Sequence, residues 1–332
     1  MKRSITIRDV AKQADVSVAT VSRVISGKSV VADRTRDRVN AVMERLSFEP
    51  SRLGQALALN RHDAFALVLP GLGGPLFAGI LDGFENTLAG TGITFHVLVA
   101  QNEERFPVQL ADLATRVDGM CVFGAYTGDS LISTIAQRMP IVRIAGSPDP
   151  ATHSINVDNF EAACEITNHL IETHGVRKLL FLGEAAQSPD LQLRYQGFQR
   201  ALSDAGIDNR DVIFPCSLTQ ASGLKAASII LRWPDRPEAI VCATDEVAVG
   251  TMMACTEAGV SVPRDIKVTG YDDIELASLI TPALTTVDQP FHEIGARAAQ
   301  ILLRHTRKAA QAEKPENHQL AIEVIVRHSC GC

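Results

Sequence analysis

The sequence predicts an α/β protein with an N-terminal three-helix head, arranged as a helix-turn-helix, and a two-lobed body of doubly wound parallel sheets. Two observations predict this fold class. Near the N-terminus, apolar side chains recur at helical spacing in three short stretches. Beyond residue 63, short apolar runs alternate with amphipathic stretches, which is typical of parallel sheets covered by helices. We therefore divide the chain into a head at 1–48, a connecting segment at 49–62 and a body at 63–332.

The first two helices of the head are marked by their capping residues. Thr6 and Asp9 are spaced as the two halves of a capping box. The apolar stripe that follows comprises Ile7, Val10, Ala11 and Ala14. The pattern breaks at Asp15, and Ser17 is placed to cap a second helix. The core-facing side of this second helix comprises Val21, Val24 and Ile25, and its exposed side comprises Val18, Ala19, Ser22 and Arg23.

A third helix is predicted from about Asp33, because apolar residues follow one another at i, i+3, i+4 and i+7. Those residues are Val39, Val42, Met43 and Leu46. Two short helices joined by a tight turn and packed on a third form a helix-turn-helix domain. The hydroxyls of Ser17, Thr20 and Ser22 suit phosphate oxygens, and Arg23 can reach a guanine edge. The alternative is an ordinary three-helix unit whose Ser and Thr residues only cap helices.

The charge is distributed unevenly along the chain. Residues 1–62 hold 12 Lys+Arg and 6 Asp+Glu, whereas the remaining residues hold 20 and 32. A small basic head on an acidic body suggests that the head meets a polyanion. A basic face that is merely solvated remains open on charge alone.

The N-terminus and the cysteines predict a cytoplasmic protein. The sequence MKRSITIRDV is polar and unlike a signal peptide, and no run of 18 apolar residues suggests a membrane span. Five cysteines lie within apolar segments and are expected to be buried and reduced: Cys121, Cys164, Cys216, Cys242 and Cys255. Cys330 and Cys332 have no CxxC or paired-histidine motif beside them, so we expect a frayed tail and no metal site.

The body shows seven apolar runs that we predict as strands. They lie near 65–70, 94–99, 118–123, 140–144, 178–183, 239–243 and 266–271. The helical patterns between them lie at 77–89, 159–173, 190–205, 220–231, 245–258 and 290–306. A chain of this length has room for about ten strands in two sheets. In open sheets of this kind ligands bind at the carboxyl ends of the strands, which places a pocket in the cleft between two lobes.

The head resembles that of the LacI/GalR family almost residue for residue, through Thr6-Ile7-Arg8-Asp9-Val10-Ala11 and Val16-Ser17-Val18-Ala19-Thr20-Val21-Ser22-Arg23-Val24-Ile25. The resemblance implies that Val18, Ala19 and Arg23 read bases. It assigns phosphate contacts to Thr6, Ser17, Thr20 and Ser22. Val18 and Ala19 offer only apolar contact, for example to a thymine methyl.

The segment Phe48–Leu57 is similar to the hinge of the same family. In the family this hinge forms a short helix in the minor groove, so the match implies that Arg52 contacts DNA and that Leu57 wedges into a base step. Gly54-Gln55 stands where family members often carry Ala-Arg. Glycine disfavours a helix by about 1 kcal/mol relative to alanine, so the hinge should depend more on DNA for its order.

The body resembles the periplasmic-binding-protein-like core of this family. The implied lobes are about 63–159 with 290–320, and 160–289 with 321–332. The positions that the resemblance assigns to the effector are Leu76, Phe77, Asp158, Arg194, Leu218, Asp245 and Asp272. Arg194 matches an arginine that grips the effector, whereas Leu218 stands where several members carry an aromatic ring. For each carboxylate a helix cap or a salt bridge is the alternative, above all for Asp245.

These features predict a sequence-specific repressor of carbohydrate-utilisation genes that is switched by a sugar or sugar derivative. Its expected partners are a palindromic operator in double-stranded DNA, the effector and a second copy of itself, because two heads related by a two-fold axis read two half-sites. We expect no catalytic residue, no cofactor, no metal and no membrane contact. A binding protein that merely shares the body is one alternative. An enzyme is another, although the chain lacks a G-x-S-x-G elbow, a Walker loop and a Rossmann fingerprint.

Overall fold

A computed structural model describes residues 5–25, 31–48, 61–100, 104–124, 129–146, 149–208, 212–307 and 314–332. The predicted hinge residues Arg52 and Leu57 lie outside these ranges. None of the helices in the described part of the chain is long and apolar enough to cross a membrane.

The described residues form twelve α-helices and twelve strands. The helices are α1 (Ile7–Gln13), α2 (Val18–Ile25), α3 (Asp33–Leu46), α4 (Pro75–Leu88), α5 (Phe106–Leu113), α6 (Asp129–Ala136), α7 (Asn159–His174), α8 (Pro189–Asp204), α9 (Gln220–Ile230), α10 (Asp245–Glu257), α11 (Glu275–Leu279) and α12 (Phe291–Arg307). The strands are β1 (Ala64–Leu69), β2 (Thr94–Val99), β3 (Gly119–Phe123), β4 (Ile141–Ile144), β5 (His153–Val157), β6 (Leu179–Leu182), β7 (Ile213–Phe214), β8 (Ala239–Cys242), β9 (Lys267–Thr269), β10 (Thr286–Asp288), β11 (Asn317–Leu320) and β12 (Glu323–Ile325).

The three helices of the head enclose a small core of their own. Its buried members are Val10, Ala11, Ala14, Val21, Val39 and Val42. The predicted caps are present: the Thr6 amide and hydroxyl donate to the Asp9 carboxylate at 2.9 and 2.7 Å. Asp15 adopts a φ of 49°, which turns the chain between α1 and α2. The predicted helix-turn-helix arrangement is therefore confirmed.

The first sheet of the body has six parallel strands in the order β11-β5-β4-β3-β1-β2. All six residues of β1 are buried, which explains the continuous apolar run in its sequence. Helices α4 and α12 pack closely along one face, because Gly83 and Gly295 let their backbones touch. A Cβ at Gly83 would lie 1.9 Å from the His292 carbonyl oxygen.

The second sheet has four parallel strands in the order β7-β6-β8-β9. Separate buried clusters on its two faces, one around Leu182 and Cys242 and one around Phe181 and Phe198, make it doubly wound. The antiparallel pair β10-β12 lies beside it. The chain passes between the two sheets after β5, after β10 and after β11.

Three predictions about the cysteines and the tail need correction. The tail is not frayed: His328–Cys330 form a 3-10 helix, and Ser329 and Cys330 are fully buried. The Ser329 hydroxyl donates to the Val268 carbonyl at 2.6 Å and accepts from the Thr285 amide at 2.8 Å, which ties the tail to the sheet. Cys164 and Cys216 are half-buried rather than buried.

Candidate functional site

The start of α2 is an exposed surface of small side chains. Val18 is 42% exposed, Ser17 and Ala19 are exposed, and Val21 behind them is completely buried. The Ser17 hydroxyl accepts a hydrogen bond from the Thr20 amide at 3.1 Å, which fixes the first turn of the helix. A helix start bearing such small side chains can enter the major groove of DNA closely.

The other predicted DNA contacts lie around this surface. Thr6 and Arg23 are exposed, whereas Thr20 and Ser22 are half-buried. The Thr6 hydroxyl and amide both donate to Asp9, so a hydrogen bond from Thr6 to a phosphate, which only accepts, requires one of these two bonds to break. That these residues touch DNA stays a prediction.

A cavity of about 560 Å³ lies at the carboxyl ends of strands from both sheets. Five of the seven predicted effector residues line it: Leu76, Phe77, Arg194, Leu218 and Asp272. Its apolar wall includes an edge-to-face aromatic pair, Phe77 and Phe123, whose ring centroids lie 5.4 Å apart. Such a wall suits the apolar face of a small molecule.

Arg194 is held at the polar end of this cavity by three neighbours. Its Nε donates to Asn159 Oδ1 at 2.9 Å, and its Nη1 donates to the Ala243 carbonyl at 2.6 Å. The guanidinium carbon lies 3.6 Å from the centre of the Tyr271 ring, within cation–π range. Within the described residues Nη2 has no acceptor, so its two N–H groups remain for a ligand.

Asp272 provides a hydrogen-bond acceptor beside the Arg194 donor. Its Oδ1 lies 3.5 Å from Arg194 Nη1 and accepts from Gln289 Nε2 at 2.8 Å, while Oδ2 accepts no hydrogen bond from the described residues. Burial raises the pKa of Asp272 to about 6, although Arg194 opposes that rise. The cavity therefore presents a fixed donor beside a fixed acceptor.

Comparison with known proteins now identifies the chain. The family model "Bacterial regulatory proteins, lacI family" matches residues 6–51, and "Periplasmic binding protein-like domain" matches residues 167–330. The chain is 32% identical over 331 residues, 98% of each protein, to the HTH-type transcriptional repressor PurR of Mannheimia succiniciproducens. The chain belongs to the LacI family. Its relatives are transcriptional repressors, so this LacI-family protein is a DNA-binding regulator and not an enzyme, as the sequence predicted.

Other relatives and solved structures agree with this assignment. Catabolite control protein A of Priestia megaterium is 28% identical, with 92% of this chain and 93% of that protein covered. The lac repressor dimer bound to operator and the anti-inducer ONPF is 27% identical, covers 99% of both chains and gives a TM-score of 0.83. A complex of the transcriptional regulator CelR with cellobiose is 28% identical over 98% of this chain and 99% of that one, with a TM-score of 0.72. The predicted fold class is confirmed by these structures.

Two predicted effector residues of this LacI-family regulator do not line the cavity. Asp158 caps α7, accepting from the Glu161 amide at 3.0 Å, and also accepts from Gln319 at 3.0 Å. Asp245 is fully buried, and it accepts from the Thr286 hydroxyl at 2.6 Å and the Ile274 amide at 2.9 Å. Their chain neighbours Asn159, Thr244 and Glu246 are the residues in the cavity wall.

The buried Asp245 should make the stability of the regulator depend on pH. Burial, and secondly the charge of Asp272, raise the pKa of Asp245 from 3.8 to about 7. The folded chain thus binds this proton more tightly than the unfolded chain. The stability from that difference is fully present below pH 3.8 and is lost as the pH rises to about 7.

We therefore expect Asp245→Asn to stabilise the folded state by roughly 1–3 kcal/mol at pH 8, and by much less near pH 4. The amide keeps one acceptor for the Ile274 amide and can donate to the Thr286 hydroxyl. Urea unfolding at several pH values measures the difference. Asp235→Asn is the matched control, because the Asp235 side chain is 92% exposed. A difference between Asp245→Asn and wild type that stays constant with pH would contradict this account.

Three residues that position Arg194 and Asp272 are not predicted from the sequence. Asn159, Tyr271 and Gln289 each contact Arg194 or Asp272. Asn159 and Gln289 lie where the chain crosses between the sheets, next to β5 and β10. Polar residues at crossovers between lobes are therefore the signal that could have found them, since both strand ends face the cleft.

Proposed function

We propose that this chain represses carbohydrate-utilisation genes by binding a palindromic operator as a homodimer, and that a sugar or sugar derivative in the cavity switches its DNA affinity. The observation that carries the choice of ligand is that Arg194 and Asp272, whose Nη2 and Oδ2 atoms have no partner among the described residues, line the same cavity as the aromatic pair. Adjacent sugar hydroxyls each donate and accept, so they complement such a pair, and the apolar face of a sugar ring packs on Phe77. The cellobiose complex of the similar regulator CelR supports this ligand class.

The switch in DNA affinity follows from the position of the cavity at the carboxyl ends of strands from both sheets. In the described part of the chain, the Gly146 amide after β4 donates to Asp190 Oδ1 on α8 at 3.4 Å across the two sides of the cavity, and Asp190 also lines the cavity. A ligand that engages both sides favours one placement of the lobes over another. That placement sets the separation of the two hinge segments, which carry Arg52 and Leu57, and so the fit of both heads to DNA.

A homodimer is supported by exposed apolar side chains on neighbouring helices of the second lobe. Ile229 on α9, Met253 on α10 and Leu279 on α11 are 45%, 47% and 69% exposed. The solved lac repressor is a dimer on its operator. Dimerisation raises the effective concentration of the second head at the second half-site, which compensates for the weak binding of one small head.

The proposal is tested by selecting a duplex from a random palindromic pool with the purified full chain and measuring fluorescence anisotropy. We expect a salt-dependent preference for the selected duplex over competitor DNA, and release of the duplex by one class of ligand. Sugars and sugar phosphates form one panel. Purine bases and nucleosides form a second panel, because the similar repressors named PurR and the aromatic wall favour a planar base as the second candidate. The operator function would be contradicted if the chain preferred no duplex. The assignment of a sugar as effector would be contradicted if only purine bases or nucleosides changed the affinity for the duplex.

A further inference from the structure

Two histidines at the end of α7 and two cysteines at the C-terminus converge on one point of the second lobe. We call His169, His174, Cys330 and Cys332 the histidine–cysteine cluster. The His169 Nε2 atom lies 3.5 Å from Cys330 Sγ and 3.6 Å from Cys332 Sγ, and His174 Nε2 lies 3.4 Å from Cys332 Sγ. All four ligand atoms lie within 4.8 Å of one another.

We propose that the histidine–cysteine cluster binds one structural Zn²⁺ ion per chain. Tetrahedral zinc, with Zn–S of about 2.3 Å and Zn–N of about 2.0–2.1 Å, separates a nitrogen ligand from a sulfur ligand by about 3.6 Å. The three nitrogen–sulfur distances in the cluster match that separation. A set of two imidazoles and two thiolates is a typical zinc ligand set, and four protein ligands close the site to substrate.

The backbone around the cluster is built to bring the last residue back to the histidines. Gly331 has a φ of 106°, a conformation that side-chain-bearing residues rarely adopt, and a Cβ there would lie 3.5 Å from the His174 ring. Ser329 anchors the preceding residue in the fold through its two buried hydrogen bonds. Simple burial of a thiol does not explain the arrangement, because Cys332 is exposed at the end of the chain and still contacts both imidazoles.

The hydrogen bonds around the cluster are compatible with metal-binding imidazole and thiol groups. The Thr173 hydroxyl lies 3.4 Å from His169 Nδ1, so it can accept the N–H of the ring nitrogen that faces away from the metal. The Cys330 thiol donates to the Arg327 carbonyl at 3.2 Å. Metal binding replaces both S–H bonds with Zn–S bonds and releases two protons to solvent. Two thiolates balance the charge of Zn²⁺.

The ion would clamp two segments that both lead to the ligand cavity. Helix α7 begins at Asn159, which holds Arg194, and ends at His174. The tail carries Arg327, whose guanidinium donates to both carboxylate oxygens of Asp273 at 2.6 and 3.1 Å. Asp273 follows Asp272 directly. Zinc at the cluster would therefore brace the polar end of the cavity from a distance, because His169 and His174 lie about 15 and 22 Å along α7 from Asn159.

The test uses the reduced full-length chain, made metal-free with a chelator and titrated with Zn²⁺ or Co²⁺ alone. We expect one metal per chain, a rise in the unfolding temperature of about 5 °C or more, and visible and near-ultraviolet Co²⁺ absorption typical of tetrahedral thiolate coordination. Cys332→Ser should weaken metal binding by about 100-fold or more, because it removes one of four ligands. Cys332 is exposed, so this variant should fold.

Two controls separate this site from other metal binding. Cys216→Ser changes a half-buried thiol outside the cluster and should leave metal binding intact. His305→Ala removes a member of the His153, His305 and Glu316 group, which also has ligand atoms close together. The proposal is overturned by less than half a metal per chain, by unchanged affinity in Cys332→Ser, by loss of the metal in His305→Ala, or by a Cys330–Cys332 disulfide in anaerobically purified protein. None of these readouts requires operator or effector binding, so they stand apart from the proposed function.

Discussion

Replacing Arg194 by methionine is expected to weaken effector binding by about 100-fold or more and to destabilise the second lobe at the same time. The first effect follows from losing the two open N–H groups at the polar end of the cavity. The second follows because Asp272 is 6% exposed and its carboxylate loses the cation 3.5 Å away. Breaking a buried ion pair from one side costs about 3–5 kcal/mol.

A double variant separates these two effects. Arg194→Met with Asp272→Asn removes the unpaired buried charge, so it should recover most of the lost stability and still fail to bind the effector. Urea unfolding measures the stability, and calorimetric titration with the ligand from the anisotropy screen measures the affinity. Arg200→Met is the matched control, because Arg200 lies on the same helix and pairs with Asp204 at the surface. It should change neither quantity.

Retained ligand affinity in the double variant would show that the effector is not held by Arg194. Loss of stability without recovery by Asp272→Asn would show that the packing on Tyr271, and not the charge of Asp272, dominates the role of the arginine. Operator affinity without ligand should persist in the double variant, because neither residue lies in the head.

The parts of the fold that the sequence predicted are those with strong local patterns. The buried strand β1 is a continuous apolar run, and α12 begins and ends within one residue of its predicted limits. Five observed strands, β5, β7, β10, β11 and β12, are not among the seven predicted runs, and two of them, β7 and β11, lie at sheet edges. Strand β7 has only two residues, and β11 alternates exposed and half-buried polar residues, so neither carries the apolar signal on which a strand prediction depends.

The residues of the candidate site also separate into those that the sequence predicts and those that it does not. Arg194 and Asp272 were found through family resemblance, and both line the cavity. The resemblance assigns Asp245 to the effector, but the cavity wall contains its neighbours Thr244 and Glu246 instead. Successive helical residues point about 100° apart, and family resemblance alone does not fix that rotation. The histidine–cysteine cluster was missed because its members come from segments about 160 positions apart, so no local spacing motif exists.

The head offers the second large effect: Ala19→Glu should lower operator affinity by about 100-fold or more while leaving the fold of the head intact. Ala19 is exposed in the first turn of α2, so glutamate fits sterically in the free protein. In a major groove the same carboxylate would face base-edge acceptors and phosphates without a counter-charge. A dimer would carry the change twice.

Asn40→Glu is the matched control, since it adds the same charge at an exposed position of α3 in the same domain. Both glutamates repel the DNA phosphates at long range. Salt screens this repulsion in both variants, because exposed charges separated by more than about a Debye length hardly interact. The contact part of the electrostatic penalty belongs to Ala19→Glu alone. Anisotropy titrations of both variants across a salt series should therefore show a difference in affinity that persists at high salt. Equal affinities of the two variants for the selected duplex would mean that the start of α2 does not enter the groove, and the head would then have to bind DNA through another face.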